Sequence, residues 1–293
     1  MINLSYLIST KNRLPYLKIT LAHLIQNCLP DEEIVVVDAH SSDGTGEYLK
    51  ALLKEGKIHQ LLIEADKNQA HGWNKAMMMA KGILLKKIID DDVFCFEAIR
   101  KCKNQLLAHP EIDFCISNAL SVNLSNPELI EPSSRFEQFS AWKNGSTKSF
   151  SFSDVYLMIR KSALAYTGLY NTQFVMLDWE FALRISYLNC NIAYYTGYMA
   201  MGVGTPSNIT SLTSKDTLKN EGKIGAFLYQ YEGDSNDISL WSKTKIFAGK
   251  LLKKESKNAW LKDQTADLDL QALYNNFYQV INQKEITTDA TFY

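Results

Sequence analysis

Cysteine is scarce and poorly spaced for cross-linking: Cys28, Cys95, Cys102, Cys115 and Cys190 form an odd set of 5 with no C-x-x-C pair. This argues against a disulfide framework and a thiolate zinc site, and it suits a reducing compartment. There is no excess of positive charge, since 31 Lys and Arg face 32 Asp and Glu for a net charge of -1. A nucleic acid held by bulk electrostatics is therefore not an expected partner. No apolar run approaches the roughly 20 residues that span a bilayer. The opening MINLSYLISTKNRLP has no basic segment ahead of its short apolar run, so it reads as a first strand rather than a secretory signal. A cytoplasmic protein is the expectation. Histidine ends at His109, which leaves no late histidine to ligate a metal. Glycine is missing from Ser9-Thr10-Lys11-Asn12-Arg13-Leu14-Pro15, so a glycine-rich phosphate loop does not follow the first strand.

What is present is ample core material, with 46% apolar and 11% aromatic residues over 293 positions, enough for one large α/β domain. Strand-like and helical patterns alternate through the first 90 or so residues. A compact run from Ile2 to Ser9 precedes Leu14, Leu17, Leu21, Leu24 and Ile25 at helical spacing. The β-branched Ile34 to Val37, a helix from about Gly46 to Lys54, a strand around Ile58 to Ile63, a helix around Trp73 to Lys81 and a strand Ile83 to Ile89 follow. Such alternation predicts a mainly parallel sheet covered by helices on both faces, with ligands beyond the carboxyl ends of the strands. From about Ser117 to Ser153 a polar stretch with Pro127 and Pro132 reads as a mobile connection or active-site loop. A strand Val155 to Ile159, a helix Trp179 to Leu188 and a strand near Ile192 to Tyr195 come next, and the chain from about Ser214 reads as helical. The expected division is 1–115, 116–213 and 214–293.

The polar residues at strand ends carry the chemistry. Ile34 to Val37 runs into Asp38-Ala39-His40-Ser41-Ser42-Asp43-Gly44-Thr45, which reads either as a tight turn with helix capping or as a site where Asp38 accepts hydrogen bonds from a nucleotide. Ile83 to Ile89 runs into Asp90-Asp91-Asp92. Three adjacent carboxylates repel one another unless solvated or neutralised by a cation, and hard oxygen ligands on a short segment suit Mg²⁺ or Mn²⁺ shared with phosphate. The plainer reading is a solvated turn that caps the helix starting near Phe96. Between these lies Asp66 to Ala76, where Lys67 and Lys75 are candidates to face a diphosphate and His71 reads as an ordinary polar residue. Leu177-Asp178-Trp179-Glu180 opens a helix. Asp178 is either its N-cap or a general base for an acceptor hydroxyl, with Glu180 sharing or orienting that work.

In order and spacing these blocks resemble the family 2 glycosyltransferases of the GT-A fold. The match rests on the opening strand with Ser9 to Arg13, the Asp38 to Thr45 turn, the Asp66 to Ala76 segment with Asn74-Lys75, the acidic run, and Leu177 to Glu180 preceded by Arg160 and Gly168-Leu169-Tyr170. The resemblance covers roughly the first 200 residues. It implies a Rossmann-like, mainly parallel sheet flanked by helices, with a C-terminal helical extension. On that reading 1–115 is the nucleotide-sugar half and 116–213 the acceptor half. It also implies Thr10, Asn12, Arg13 and Asp38 around the nucleoside, with Asp66, Asn74, Lys75, Asp90 and Asp91 near the nucleotide. Asp92, with Asp90, would ligate Mn²⁺ or Mg²⁺, and Asp178 would be the base of an inverting transfer. The implied donor is a nucleotide sugar, a UDP-sugar first, and the acceptor a glycan or lipid-linked hydroxyl in surface polysaccharide synthesis. Ala39 and Leu177 stand where many members carry acidic residues, and His71 and Ala76 also depart from the pattern. A catalytically reduced nucleotide-binding scaffold and a nucleotidyltransferase are the alternatives. Leu240 to Lys262 is a candidate basic amphipathic helix, with seven lysines from Trp241 to Lys262 against Glu255. It would either pack on its own domain or rest peripherally on the inner face of the cytoplasmic membrane.

Overall fold

A computed structural model describes residues 1–205, 213–233 and 269–293. The first half is built as its sequence pattern demands. Strands β1 (Leu4–Thr10), β2 (Glu32–Asp38), β3 (Gln60–Ile63) and β4 (Leu84–Lys87) are all parallel, in the order β3-β2-β1-β4. Every residue of β2 is buried. That is what a central parallel strand covered on both faces requires, and its Ile-Val-Val-Val run supplies it. Helices α1 (Leu14–Asn27), α2 (Thr45–Lys54) and α3 (Gln69–Met79) make the crossovers. Pro15 opens α1, where its missing N–H costs nothing, and the Asn68 side chain caps α3 by accepting from the His71 N–H.

Beyond β4 the sheet becomes mixed. A short strand β5 (Val93–Phe94) and α4 (Phe96–Ala108) lead to β6 (Phe114–Asn123), β7 (Asn126–Ser133) and α5 (Phe136–Lys143). Next come a 3-10 turn Asp154–Tyr156, β8 (Leu157–Arg160), the one-turn α6 (Leu164–Thr167), α7 (Leu177–Tyr187) and β9 (Ile192–Gly204). β8 runs antiparallel between β4 and β6, β9 pairs parallel with β6, and β5 lies antiparallel on β9. The polar Ser117 to Ser153 stretch, expected as a mobile connection or an active-site loop, is instead largely regular structure. It contains a hairpin, β6 and β7. Among the described residues β7 pairs only with β6, at the sheet margin, and stays largely exposed, so it carries no apolar alternation, and Pro127 and Pro132 are tolerated there. β9 also runs well past Tyr195, through 13 residues.

Two apolar layers flank the sheet. On one face Leu17, Leu21, Leu49, Ile99 and Leu106 pack with Tyr274 and Phe277; on the other Trp73, Met77, Phe139, Phe150, Phe181 and Ile185 form the layer. Tyr274 and Phe277 belong to α9 (Leu270–Thr287), which follows α8 (Lys215–Leu228) among the described residues. The end of the chain is tied to β9. Tyr194 and Tyr293 exchange backbone hydrogen bonds of 3.0 and 2.9 Å. The buried Glu285 carboxylate accepts from Lys101 and from the Tyr198 N–H, at 2.9 Å each. The amphipathic segment Leu240 to Lys262 lies outside the described residues. Among those that are described, no helix is long and apolar enough to cross a membrane.

Candidate active site

The carboxyl ends of the parallel strands open onto a cleft of about 950 Å³. Thr10, Asn12 and Arg13 after β1, Asp66 before α3, and Asp90, Asp91 and Asp92 after β4 all line it, together with Asp178 at the start of α7. Residues separated by more than 160 positions are thus gathered by the fold. Local geometry explains how. Asn12 adopts a φ of 53°, a left-handed conformation that asparagine tolerates better than most residues. Its N–H then donates to Ser41 Oγ at 2.8 Å, and its Oδ1 accepts from the Ser42 N–H at 2.8 Å. The turns after β1 and β2 are clasped together in this way.

Asp38 sits behind that clasp. It is fully buried, its oxygens accept from the Ser41 N–H and Oγ, and its neighbour Ala39 faces the cleft instead. Asn74 and Lys75 are likewise not among the cleft-lining residues. Asn74 exchanges hydrogen bonds of 2.8 and 2.9 Å with the Tyr170 backbone, and Lys75 pairs with Asp66 at 2.7 Å and Glu64 at 2.9 Å. Glu180 is buried against Arg184 at 2.8 Å and accepts from Tyr229, so it ties α7 to the segment after α8. Asp178 does not cap α7. The helix begins at Leu177 after Met176, which puts Asp178 in the first turn, half-buried and facing the cleft.

The acidic turn is buried, with its three aspartates 3%, 3% and 6% exposed. It is held by a cation that the chain itself supplies. Arg13 Nε lies 2.9 Å from Asp90 Oδ1, and Arg13 Nη2 donates to Asp91 Oδ2. Thr10 Oγ1 donates to Asp90 at 2.7 Å and Thr205 Oγ1 to Asp91 at 2.9 Å, while the Val203 N–H donates to Asp92 Oδ1 at 2.7 Å. Gly202 permits that approach of β9, because a Cβ there would stand 2.9 Å from the Tyr156 hydroxyl. Burial pushes Asp90 up to about 7 against the pull of Arg13, and it raises Asp91 as well. Asp92 is pushed far above the carboxylate range by burial and by the charges of Asp91 and Asp90. Burial also raises Asp178, with the Asp154 charge adding to it, while Lys87 and a hydrogen bond from Ser153 oppose.

Among the described residues no group of three His, Cys, Asp or Glu side chains forms a metal cage. A small divalent cation does not need one, since Mg²⁺ is commonly held by one or two carboxylates plus substrate phosphates. Asp90 has both oxygens engaged by Thr10 and Arg13. Asp92 fits better as a single ligand: it lines the cleft and, among the described residues, only its Oδ1 is engaged, by the Val203 N–H. Among the cleft-lining residues that escaped the sequence reading are Lys87 and Asp154, which pair with each other. The available signal was the pair Lys86-Lys87 inside an otherwise apolar strand, where a buried parallel strand should carry none.

The solved structures that resemble this fold share little sequence with it. Staphylococcus aureus TarS 1-349 in complex with UDP-GlcNAc superposes with a TM-score of 0.62 at 17% identity, covering 97% of this chain and 82% of that one. The mannosyltransferase PcManGT from Pyrobaculum calidifontis, in complex with GDP-Man and Mn²⁺, gives 0.54 at 17% identity, covering 97% and 85%. In a further structure of TarS 1-349 the match is 0.52 at 17% identity, covering 69% of this chain and 60% of that chain. At such identities the likeness establishes a GT-A type fold. No curated protein sequence matches the chain significantly. The model of glycosyl transferase family 2 matches residues 5–167, more than half the chain, so the protein belongs to that family.

Proposed function

We propose that the protein moves a sugar from a nucleotide-sugar donor, a UDP-sugar first, to a hydroxyl of a glycan or lipid-linked acceptor, with inversion, in the synthesis of a surface polysaccharide. The observation that carries this reading is the meeting of the acidic turn and Asp178 in one cleft. Thr10, Asn12, Arg13, Asp66, Asp90 and Asp91 line it where a nucleotide would lie beyond the strand ends. Asp38, Asn74 and Lys75 act from behind, each bonded to a turn that shapes that side.

Asp178 takes the proton of the acceptor hydroxyl. The oxygen's electron pair forms the bond to the anomeric carbon while the bond from that carbon to the diphosphate oxygen breaks, its pair leaving with the nucleoside diphosphate. A raised pKa makes Asp178 the stronger base for this step. Asp92 would hold Mn²⁺ or Mg²⁺, which when bound supplies positive charge to the departing diphosphate, while Asp90, with both oxygens engaged by Thr10 and Arg13, would hold the turn in place. The domain division follows the same logic, with 1–115 serving the donor, 116–213 the acceptor and 214–293 forming an extension. The proposed place of action is the cytoplasm, with peripheral contact at the inner face of the cytoplasmic membrane through 240–262 where that segment does not pack on its own domain.

A thermal-shift panel of UDP-, GDP-, CMP- and dTDP-sugars with and without Mn²⁺ tests the reading. One donor class should raise the melting temperature increasingly with concentration, and Asp92→Asn should remove the Mn²⁺-dependent part of that rise. No stabilisation by any nucleotide sugar would refute it.

A further inference from the structure

Beside Asp178 the cleft holds a second buried constellation that the transfer step does not use. Lys87, the last residue of β4, has its ammonium 2.7 and 2.9 Å from the two carboxylate oxygens of Asp154 and 4.4 Å from the centroid of the Trp73 ring. The two side chains are only 5% and 3% exposed. Tyr170 donates its hydroxyl to the same Asp154 carboxylate, and its backbone is clamped by Asn74. The 3-10 turn Asp154–Tyr156 that follows Ser153 packs against α7, the helix whose first turn carries Asp178. Lys87, Ser153, Asp154 and Asp178 share the lining of the cleft.

A buried ion pair is an expensive way to fill space, because desolvation of both charges commonly offsets their attraction and an apolar pair of the same volume is often as stable. Its position in the cleft therefore calls for a role beyond packing. We propose that Lys87 and Asp154 are positioning residues for Asp178: they fix the Ser153–Asp154 turn against α7 and set the local charge in which Asp178 receives the acceptor's proton. This rests on the reading of Asp178 as the base.

The groups facing Asp178 from each neighbouring element set the sign. Asp154 and Tyr156 come from the 3-10 turn, Lys87 from β4, and Tyr170 from the segment after α6. Glu221 of α8 is occupied by the N–H groups of Val175 and Met176, and Glu180 by Arg184. After burial, the Asp154 charge is the largest influence raising Asp178, and Lys87 opposes it. Removing the Asp154 charge should therefore make Asp178 a weaker base.

The test is a carbon-13 NMR titration of aspartate carboxyls in the full chain, with the Asp178 signal assigned by its disappearance in Asp178→Asn. The wild-type midpoint should lie above the usual carboxylate range. In Asp154→Asn it should fall by about one pH unit, the scale of a nearby like charge. The double variant Lys87→Gln with Asp154→Asn keeps a neutral hydrogen-bonded pair, and its midpoint should fall by less. An unchanged or raised midpoint in either folded variant overturns the proposal, and so does failure of both variants to fold, which would mark the pair as purely structural. Failure of the base reading would show separately, as turnover persisting in Asp178→Asn with the titration shifts intact.

Discussion

Two buried acid–cation assemblies share the cleft, and they use different cations. At the acidic turn the planar guanidinium of Arg13 spans two adjacent carboxylates, Asp90 and Asp91. Near Asp178 the single ammonium of Lys87 meets one carboxylate, Asp154, and rests on the rings of Trp73 and Tyr170. A fork of fixed donors can hold two like charges in register, while an ammonium is a point charge on a flexible stem. The first assembly keeps a dense negative turn folded beside the place proposed for the diphosphate. The second leaves one carboxylate, Asp178, with its proton affinity raised. On the proposed reading, the contrast would separate the side of the cleft that meets the diphosphate from the side that meets the acceptor hydroxyl.

The contrast breaks most sharply at Asp178. Asp178→Asn should lower turnover by about 10²- to 10⁴-fold, the usual contribution of a positioned base. Nucleotide-induced stabilisation should be unchanged, and release of nucleoside diphosphate measures the first quantity. If turnover survives, the two sides are not divided as described.

Arg13→Ala should act next, on stability. Leaving two buried carboxylates without their cation costs about 3 kcal/mol by analogy with broken buried pairs, to be read from denaturant unfolding. The cost should grow with pH. Asp90 titrates near about 7 in the folded chain, above its unfolded value, so the native state binds the extra proton and loses stability as pH rises from the ordinary carboxylate range through that point. Without Arg13 the folded value climbs further, and the deficit at pH 8 should exceed that at pH 5. Equal deficits would show that the guanidinium does not govern the turn's ionisation.

The smallest expected effect sharpens the same side. The Tyr274 hydroxyl on α9 donates to the Asp91 carbonyl at 2.6 Å. Tyr274→Phe should therefore cost about 1 kcal/mol, the net value of one hydrogen bond, seen as a lowered unfolding midpoint. No change would mean that α9 adds only apolar packing to the turn.

Much of this was legible beforehand. The parallel half could be read because each buried strand is a short apolar run bounded by turn residues, as in Ile34 to Val37 before Asp38. The hairpin of β6 and β7 could not, because a marginal strand with two exposed faces has no periodicity to detect. Within the site, Asp92 and Asp178 reached the cleft, whereas Glu180, two residues from Asp178, turned away toward Arg184. On an α-helix adjacent acidic residues point to different sides, and only the phase of α7 against its neighbours selects which one faces inward.

The sequence by itself determined the strand–helix alternation of the first 90 residues, the clustering of polar residues at strand ends and the family, since these depend on local periodicity and on spacing along the chain. The tertiary structure alone decided which carboxylates are buried and which cations answer them. Asp90 and Arg13 are 77 positions apart and Lys87 and Asp154 are 67 apart, and desolvation and Coulomb attraction act on distances in space that only the folded sheet creates.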